Sequence, residues 1–160
     1  MSCHNIGAGL NEVVRMAISL FDNEQISRES AKKIIATCRV AVNWCDGNEG
    51  EATAYISNCR CGNCLKLVPK GEKLYSTWDL PRDFRMEKDI DEDRLRIAYD
   101  GLCEDCFDDV INPLCDEEYD TEKLKKYIED NTDVDCYTSE GEHPKSNNGY
   151  RWVRRTDWFD

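Results

Sequence analysis

Apolar residues in the N-terminal part of the chain recur every three to four positions, which is the spacing of an amphipathic helix. They predict a first helix over residues 10–21 and a second that begins after Ser27, a good N-cap residue. Residues 22–24 are polar and break the pattern, so the two helices are expected to form an antiparallel hairpin. The predicted buried residues are Val13, Val14, Ala17, Ile18, Phe21, Ala31, Ile34, Ile35, Cys38, Ala41, Val42 and Cys45.

The middle of the chain contains shorter patterns. A third, short helix is expected over residues 48–56, where Asn48 is suited to cap it. Two apolar runs on either side of a Pro-Lys-Gly turn predict a β-hairpin over residues 65–75, and alternating residues 94–99 predict another strand. Between them, residues 79–93 hold seven acidic and three basic residues and indicate a solvated insertion.

Two further elements are predicted towards the C-terminus. A helical pattern stops at Pro113, and Thr121 is suited to cap a later helix over residues 122–129. Residues 134–138 and 150–158 are expected to pair as strands across a polar connection. The buried face of the later helix is predicted to comprise Leu124, Tyr127 and Ile128.

These elements together predict an α+β protein in which helix slightly exceeds strand. It has an N-terminal helical hairpin, a cysteine-rich central module, and a C-terminal helix with a short strand pair. We expect a helical region over residues 1–58, the central module over residues 59–118, and a C-terminal region over residues 119–160. A chain of 160 residues is of a size to fold as one compact unit.

The central module carries two Cys-x-x-Cys pairs separated by 38 residues, Cys61 with Cys64 and Cys103 with Cys106. This is the spacing of a four-thiolate zinc site, in which each pair holds one side of a tetrahedral ion. Four protein ligands leave no position for water or substrate, so we expect one structural Zn²⁺ per chain. Cys59 is an alternative ligand, although Cys61 and Cys64 have the standard spacing.

The order of a cysteine turn, a hairpin and a Cys-x-x-Cys-Phe sequence that opens a helix resembles the treble-clef zinc fingers, which include the LIM-type modules. The resemblance covers residues 61–114. It implies that Cys61 and Cys64 lie on a knuckle, and that Cys103 and Cys106 lie at a helix N-terminus, where the positive end of the helix favours thiolate. The charged insertion departs from the compact pattern of these modules.

A second group of polar residues offers an alternative site. Cys3 and His4 are soft metal ligands outside any apolar pattern, and Cys45, Asp46 and Glu49 follow the second predicted helix. Were these residues to meet, they would form a second metal site, or a thiol and imidazole that act as nucleophile and base.

Composition restricts the function further. The formal net charge of −12 disfavours nucleic-acid binding, which depends on Lys and Arg. No stretch has the length of about 20 apolar residues that a membrane span needs, so no membrane association is expected. The N-terminus lacks a signal-peptide pattern, and ten cysteines in a reducing compartment more often indicate metal binding than disulfides. We therefore expect a cytoplasmic protein.

Residues 104–120 contain eight acidic and no basic residues. Such a surface is complementary to a basic patch on a protein partner, including one that normally holds nucleic acid. The sequence thus favours a non-enzymatic, zinc-stabilised interaction module that acts as an inhibitor or regulator. The alternatives are an enzyme that uses Cys3, His4 and residues 45–49, and a single-strand nucleic-acid binder that uses the aromatic and basic residues 150–155.

Overall fold

A computed structural model describes residues 3–46, 60–69 and 71–136, without the side chains of residues 3–8, 11 and 42–46. The α+β class is confirmed, because this part of the chain holds six α-helices and one two-stranded antiparallel sheet. In the same residues, no helix has the length and apolar character that crossing a membrane requires. The elements are α1 (Cys3–Asp22), α2 (Arg28–Asp46), β1 (Leu74–Ser76), α3 (Arg82–Lys88), α4 (Glu92–Leu95), β2 (Gly101–Cys103), α5 (Glu104–Ile111) and α6 (Thr121–Asn131), with short 3₁₀ turns at Thr77–Asp79 and Asn112–Leu114.

The N-terminal hairpin of α1 and α2 is confirmed. Ser27 caps α2 as predicted, since its Oγ accepts a hydrogen bond from the backbone N–H of Ser30 at 3.1 Å. Helix α1 begins well before residue 10, and Val13 is 41% exposed rather than buried, because α1 packs through one face. The core of the hairpin comprises Val14, Ala17, Ile18, Ala31, Ile35 and Cys38, packed against Leu65, Ala98 and Tyr99.

The sheet differs from the predicted one. Strands β1 and β2 pair in the register Leu74 with Cys103, Tyr75 with Leu102 and Ser76 with Gly101. The hairpin predicted over residues 65–75 is wrong, because Leu67 pairs with Arg60 and Lys73 pairs with Asp135. The two apolar runs therefore pair with different segments of the chain and not with each other.

The strand predicted over residues 94–99 is also wrong. Asp91 caps α4 by accepting the backbone N–H of Arg94 at 2.7 Å, and Arg96 ends the helix at a positive φ of 55°. After this turn, Ile97, Ala98 and Tyr99 are all buried, so their side chains do not alternate between core and solvent.

The insertion over residues 79–93 contributes to the core instead of extending into solvent. Leu80 is 3% exposed and Phe84, on α3, is 1% exposed. The Phe84 ring packs edge-on against Tyr119, with 5.5 Å between ring centroids. The charged residues of α3 occupy the other faces of this short helix, which is why its composition concealed its buried side.

The two helices predicted on either side of Pro113 are present, with two corrections to the second. Helix α5 ends at Ile111, ahead of a 3₁₀ turn that contains Pro113, as expected. The cap of α6 is Asp120 rather than Thr121, since its carboxylate accepts the backbone N–H of Lys123 at 2.8 Å. Leu124 and Ile128 are buried, whereas Tyr127 is 42% exposed. Of the strand predicted over residues 134–138, Asp135 pairs with Lys73 and residues 137–138 lie outside the described residues. The strand predicted over residues 150–158 and the helix predicted over residues 48–56 also lie outside them.

Tyr127 was predicted to lie on the buried face of α6, but Lys125 lies there instead. It is 5% exposed, and its Nζ lies 3.0 Å from Asp108 and 3.2 Å from Glu122. Because the ammonium group forms ion pairs with these two carboxylates, it remains charged beneath the acidic surface of α5 and α6. The dense acidic sequence of α5 therefore has a structural use in addition to any role on the surface.

The Phe84→Ala variant tests whether the insertion belongs to the core. We expect it to lower the free energy of unfolding by about 3–5 kcal/mol, because it leaves a cavity where a buried ring was. Met86→Ala on the same helix is the control, since Met86 is 69% exposed and its removal should change stability by less than about 0.5 kcal/mol. Denaturant unfolding measures both, and equal stabilities would show that the insertion lies outside the core.

Candidate metal centre

The first two cysteines lie on a tight turn of the backbone. Arg60 pairs with Leu67, and the N–H of Cys61 donates to the carbonyl of Lys66 at 3.1 Å, so the chain reverses between them. Leu65 closes the turn at a positive φ of 62°, with its N–H donating to the carbonyl of Cys61 at 2.9 Å. The N–H of Asn63 points back at the Cys61 sulfur at 3.4 Å. We call this turn, residues 60–67, the knuckle, after the element on which the treble-clef resemblance implies that Cys61 and Cys64 lie.

The second pair lies where strand β2 becomes helix α5. Cys103 ends β2 and is the N-cap residue of α5, and Cys106 lies in the first turn of the helix. A spacing of three residues places both side chains on one face of a helix. The unpaired N–H groups and the positive end of the helix dipole favour negative charge there, which suits thiolate ligands.

The fold brings the two pairs together. All four sulfur atoms, of Cys61, Cys64, Cys103 and Cys106, lie within 4.8 Å of one another. Sulfur ligands of a tetrahedral zinc ion at the usual bond length of about 2.3 Å stand about 3.8 Å apart, so the cluster has the dimensions of such a site. Cys61 is fully buried and Cys106 is 8% exposed, while Cys64 and Cys103 are half-buried. An all-sulfur donor set suits a soft ion such as zinc and does not suit magnesium or calcium.

The electrostatics of the cluster point to the same chemistry. The thiol of Cys103 hydrogen-bonds to the Cys64 sulfur and, with the thiol of Cys61 and the backbone N–H of Lys66, lowers the pKa of Cys64. The pKa of Cys103 is raised, most strongly by its hydrogen bond with Cys61 and next by its hydrogen bond with Cys64. Metal binding requires deprotonated cysteines, so an ion that binds here would release thiol protons.

Gly62, inside the first pair, fits the knuckle onto the chain that precedes β2. Its N–H donates to the carbonyl of Gly101 at 2.6 Å, and its carbonyl accepts the N–H of Ala98 at 2.7 Å. A Cβ atom at position 62 would stand 1.9 Å from the carbonyl oxygen of Tyr99, so no other residue fits. Sequence reasoning missed this role, although a glycine between two metal-ligand cysteines is a signal of close backbone approach.

Among the cysteines whose side chains the structure describes, three stand apart from the cluster. Cys38 is buried in the helical hairpin, as predicted, and burial raises the pKa of its thiol. Cys115 lies 3.5 Å from the carbonyl oxygen of Ile111, and burial is the first cause that raises its pKa. Cys136 is buried beside β1, where its N–H donates to the carbonyl of Glu72 at 2.9 Å.

The alternative sites are not reached by the structure. The side chains of Cys3, His4, Cys45 and Asp46 lie outside the described part of the chain. So do Glu49, Cys59 and residues 150–155 as a whole. The second metal site, the thiol nucleophile and the nucleic-acid strip therefore stay predictions. Among the described residues, the four-cysteine cluster is the one group of three or more Cys, His, Asp or Glu arranged to hold a metal ion.

Comparisons with protein-family models, with curated proteins and with solved structures find no match to this chain. The role of the centre is therefore inferred from its own residues. What those residues can do is hold one ion in a closed, largely buried sphere that joins the knuckle to the start of α5.

Replacing Gly62 with alanine tests the fit of the knuckle. We expect Gly62→Ala to lower the free energy of unfolding by at least about 2 kcal/mol, because the added methyl group overlaps the Tyr99 backbone. Gly9→Ala is the matched control, since no atom lies within 4 Å of a Cβ there and alanine favours the helix. Thermal or denaturant unfolding of the metal-loaded protein measures both, and a Gly62→Ala protein as stable as the Gly9→Ala protein would contradict this geometry.

Proposed function

We propose that the four-cysteine centre is a structural zinc site and that the chain is a non-enzymatic interaction module built on it. The observation that carries the first half is the meeting of four sulfurs within 4.8 Å, with Cys61 fully buried. A sphere filled by four thiolates offers no position for water or substrate, so the ion stabilises the fold and does no chemistry. Its binding free energy contributes to folding, because the unfolded chain has no preformed site.

We further propose that the module is of the treble-clef type. Support comes from the order of the elements, which is a knuckle with two ligands, an antiparallel strand pair, and a helix with two ligands at its N-terminus. The insertion lies within the connection between β1 and β2, where extra residues lengthen this connection without moving either cysteine pair.

The interaction half of the proposal rests on the acidic face, defined as Asp105, Asp109, Glu117 and Glu118. All four side chains are exposed, and within the described residues none of them pairs with Lys or Arg. Two neighbouring carboxylates do form ion pairs, since Asp108 contacts Lys125 and Asp116 lies 3.0 Å from Lys88. The acidic face thus retains its charge for a partner.

The partner that fits this face is a protein with a basic surface. Long-range attraction would speed its association, and close charge pairs would select it over neutral proteins. A nucleic-acid-binding surface has this character, so occupying one and inhibiting its owner is the sharpest form of the proposal. A thiolate centre of this kind suits the reducing cytoplasm, where we place the protein.

Metal analysis of protein purified without added zinc tests the first half. We expect one zinc per chain, which Cys103→Ser should abolish because three remaining thiolates do not close the sphere. Cys38→Ser is the control, since Cys38 is a buried cysteine outside the cluster. Elemental analysis beside native mass spectrometry counts the ions. Purified protein that contains no metal would contradict the proposed zinc site. So would zinc that is retained by Cys103→Ser and lost from Cys38→Ser.

Charge neutralisation tests the second half. The variant Asp109→Asn/Glu117→Gln/Glu118→Gln keeps shape and removes three charges, so it should weaken binding to partners captured from cell extract by at least about tenfold, with less effect at high salt. The control Glu24→Gln/Glu72→Gln/Asp93→Asn removes equal charge from exposed positions elsewhere. Titration of each captured partner gives the affinities. Equal affinity of both variants, or binding that does not respond to salt, would contradict a role for the acidic face.

A further inference from the structure

The geometry points to a link between the metal centre and the α1–α2 hairpin, and we infer that metal occupancy controls how the hairpin docks on the rest of the protein. The inference rests on the proposed metal site. It goes beyond a structural zinc, because it makes the position of two helices depend on whether the ion is bound.

The hairpin is a unit with its own core. Six buried residues of α1 and α2 pack against one another, and the remaining members of that core are Leu65, Ala98 and Tyr99. Leu65 closes the knuckle, and the other two belong to the segment on which Gly62 rests. The apolar contact between the α1–α2 hairpin and the module is therefore made by the knuckle and by the segment that is hydrogen-bonded to it.

Polar contacts reach the knuckle directly. The Nζ of Lys32, a residue only 8% exposed, donates to the side-chain oxygen of Asn63 at 3.0 Å, and Asn63 lies between the first two cysteines. Arg60 donates to both carboxylate oxygens of Asp22, at 2.8 and 3.0 Å, and to the carbonyl of Leu65 at 2.8 Å. Both contacts are made by residues of the knuckle.

The segment before β2 completes the connection. Arg39 donates to the carbonyl of Ala98 at 2.7 Å, and its guanidinium stacks over the Tyr99 ring at 5.5 Å from the centroid. The same segment is hydrogen-bonded to Gly62 on both sides. Contacts thus join the α1–α2 hairpin to residues 98–101, and residues 98–101 to the knuckle.

Two buried polar atoms weaken this interface. In the described part of the chain, the Tyr99 hydroxyl and the Nε of Arg39 are buried with no hydrogen-bond partner, which opposes docking. The turn itself is held by few backbone hydrogen bonds, and a short isolated turn of this kind is only marginally stable in water. Binding of the ion fixes the turn, and the fixed turn presents Asn63, Leu65 and Gly62 to their partners.

Zinc affinity of the full chain tests the link, because coupling between two events is reciprocal. Lys32→Met and Arg39→Met remove docking contacts without touching a cysteine, and each should raise the zinc dissociation constant about tenfold in competition with a chromogenic chelator. Lys33→Met is the control, since Lys33 is exposed on the same helix and should leave the constant within about twofold. Lys32→Arg should restore part of the loss, because it retains the donor.

A chemical footprint reads docking itself. Tyr99 is 2% exposed and should resist acylation by N-acetylimidazole in the zinc-loaded chain, then react after chelation, whereas Tyr127, 42% exposed, should react in both. If Lys32→Met and Arg39→Met bind zinc as the unaltered chain does, or Tyr99 stays protected after chelation, the link is overturned while the zinc site stands. A chain that binds no zinc overturns both.

Discussion

Four sulfur atoms from two distant stretches of chain lie within 4.8 Å of one another, and satisfying their charge is the constraint that this fold must meet. Thiolates at this distance repel one another unless protons or a cation lie between them. A divalent ion would satisfy all four at once, and the positive end of the α5 dipole helps to hold the negative charge. The fold is organised around this requirement.

The backbone near the cysteines transmits that constraint outward. Pairing of β1 with β2 fixes Cys103 opposite Leu74, and the two hydrogen bonds of Gly62 fix the knuckle against the segment before β2. The insertion begins just beyond β1 and returns Phe84 to the same core, so its length does not loosen the centre. The helical hairpin then packs on the outer side of that assembly.

The features that local rules govern were predictable from sequence. Cysteine spacing identified the four residues that meet, helical periodicity identified the hairpin, and Ser27 and Pro113 marked helix ends as the structure has them. The misses arose where tertiary contacts override local pattern. Lys125 is buried because carboxylates from α5 and α6 surround it, and Phe84 is buried because Tyr119 lies opposite it. The fit of Gly62 depends on a backbone more than thirty residues away, which periodicity does not detect.

The proposed zinc site consists of one ion enclosed by four thiolates and nothing else. X-ray absorption spectroscopy at the zinc edge of the purified protein measures the ligands directly. We expect a single shell of four sulfur atoms at about 2.3 Å, with no nitrogen or oxygen ligand. A shell that contains nitrogen or oxygen, or fewer than four sulfurs, would mean an open or differently built site, and it would contradict the structural role on which the proposed function rests.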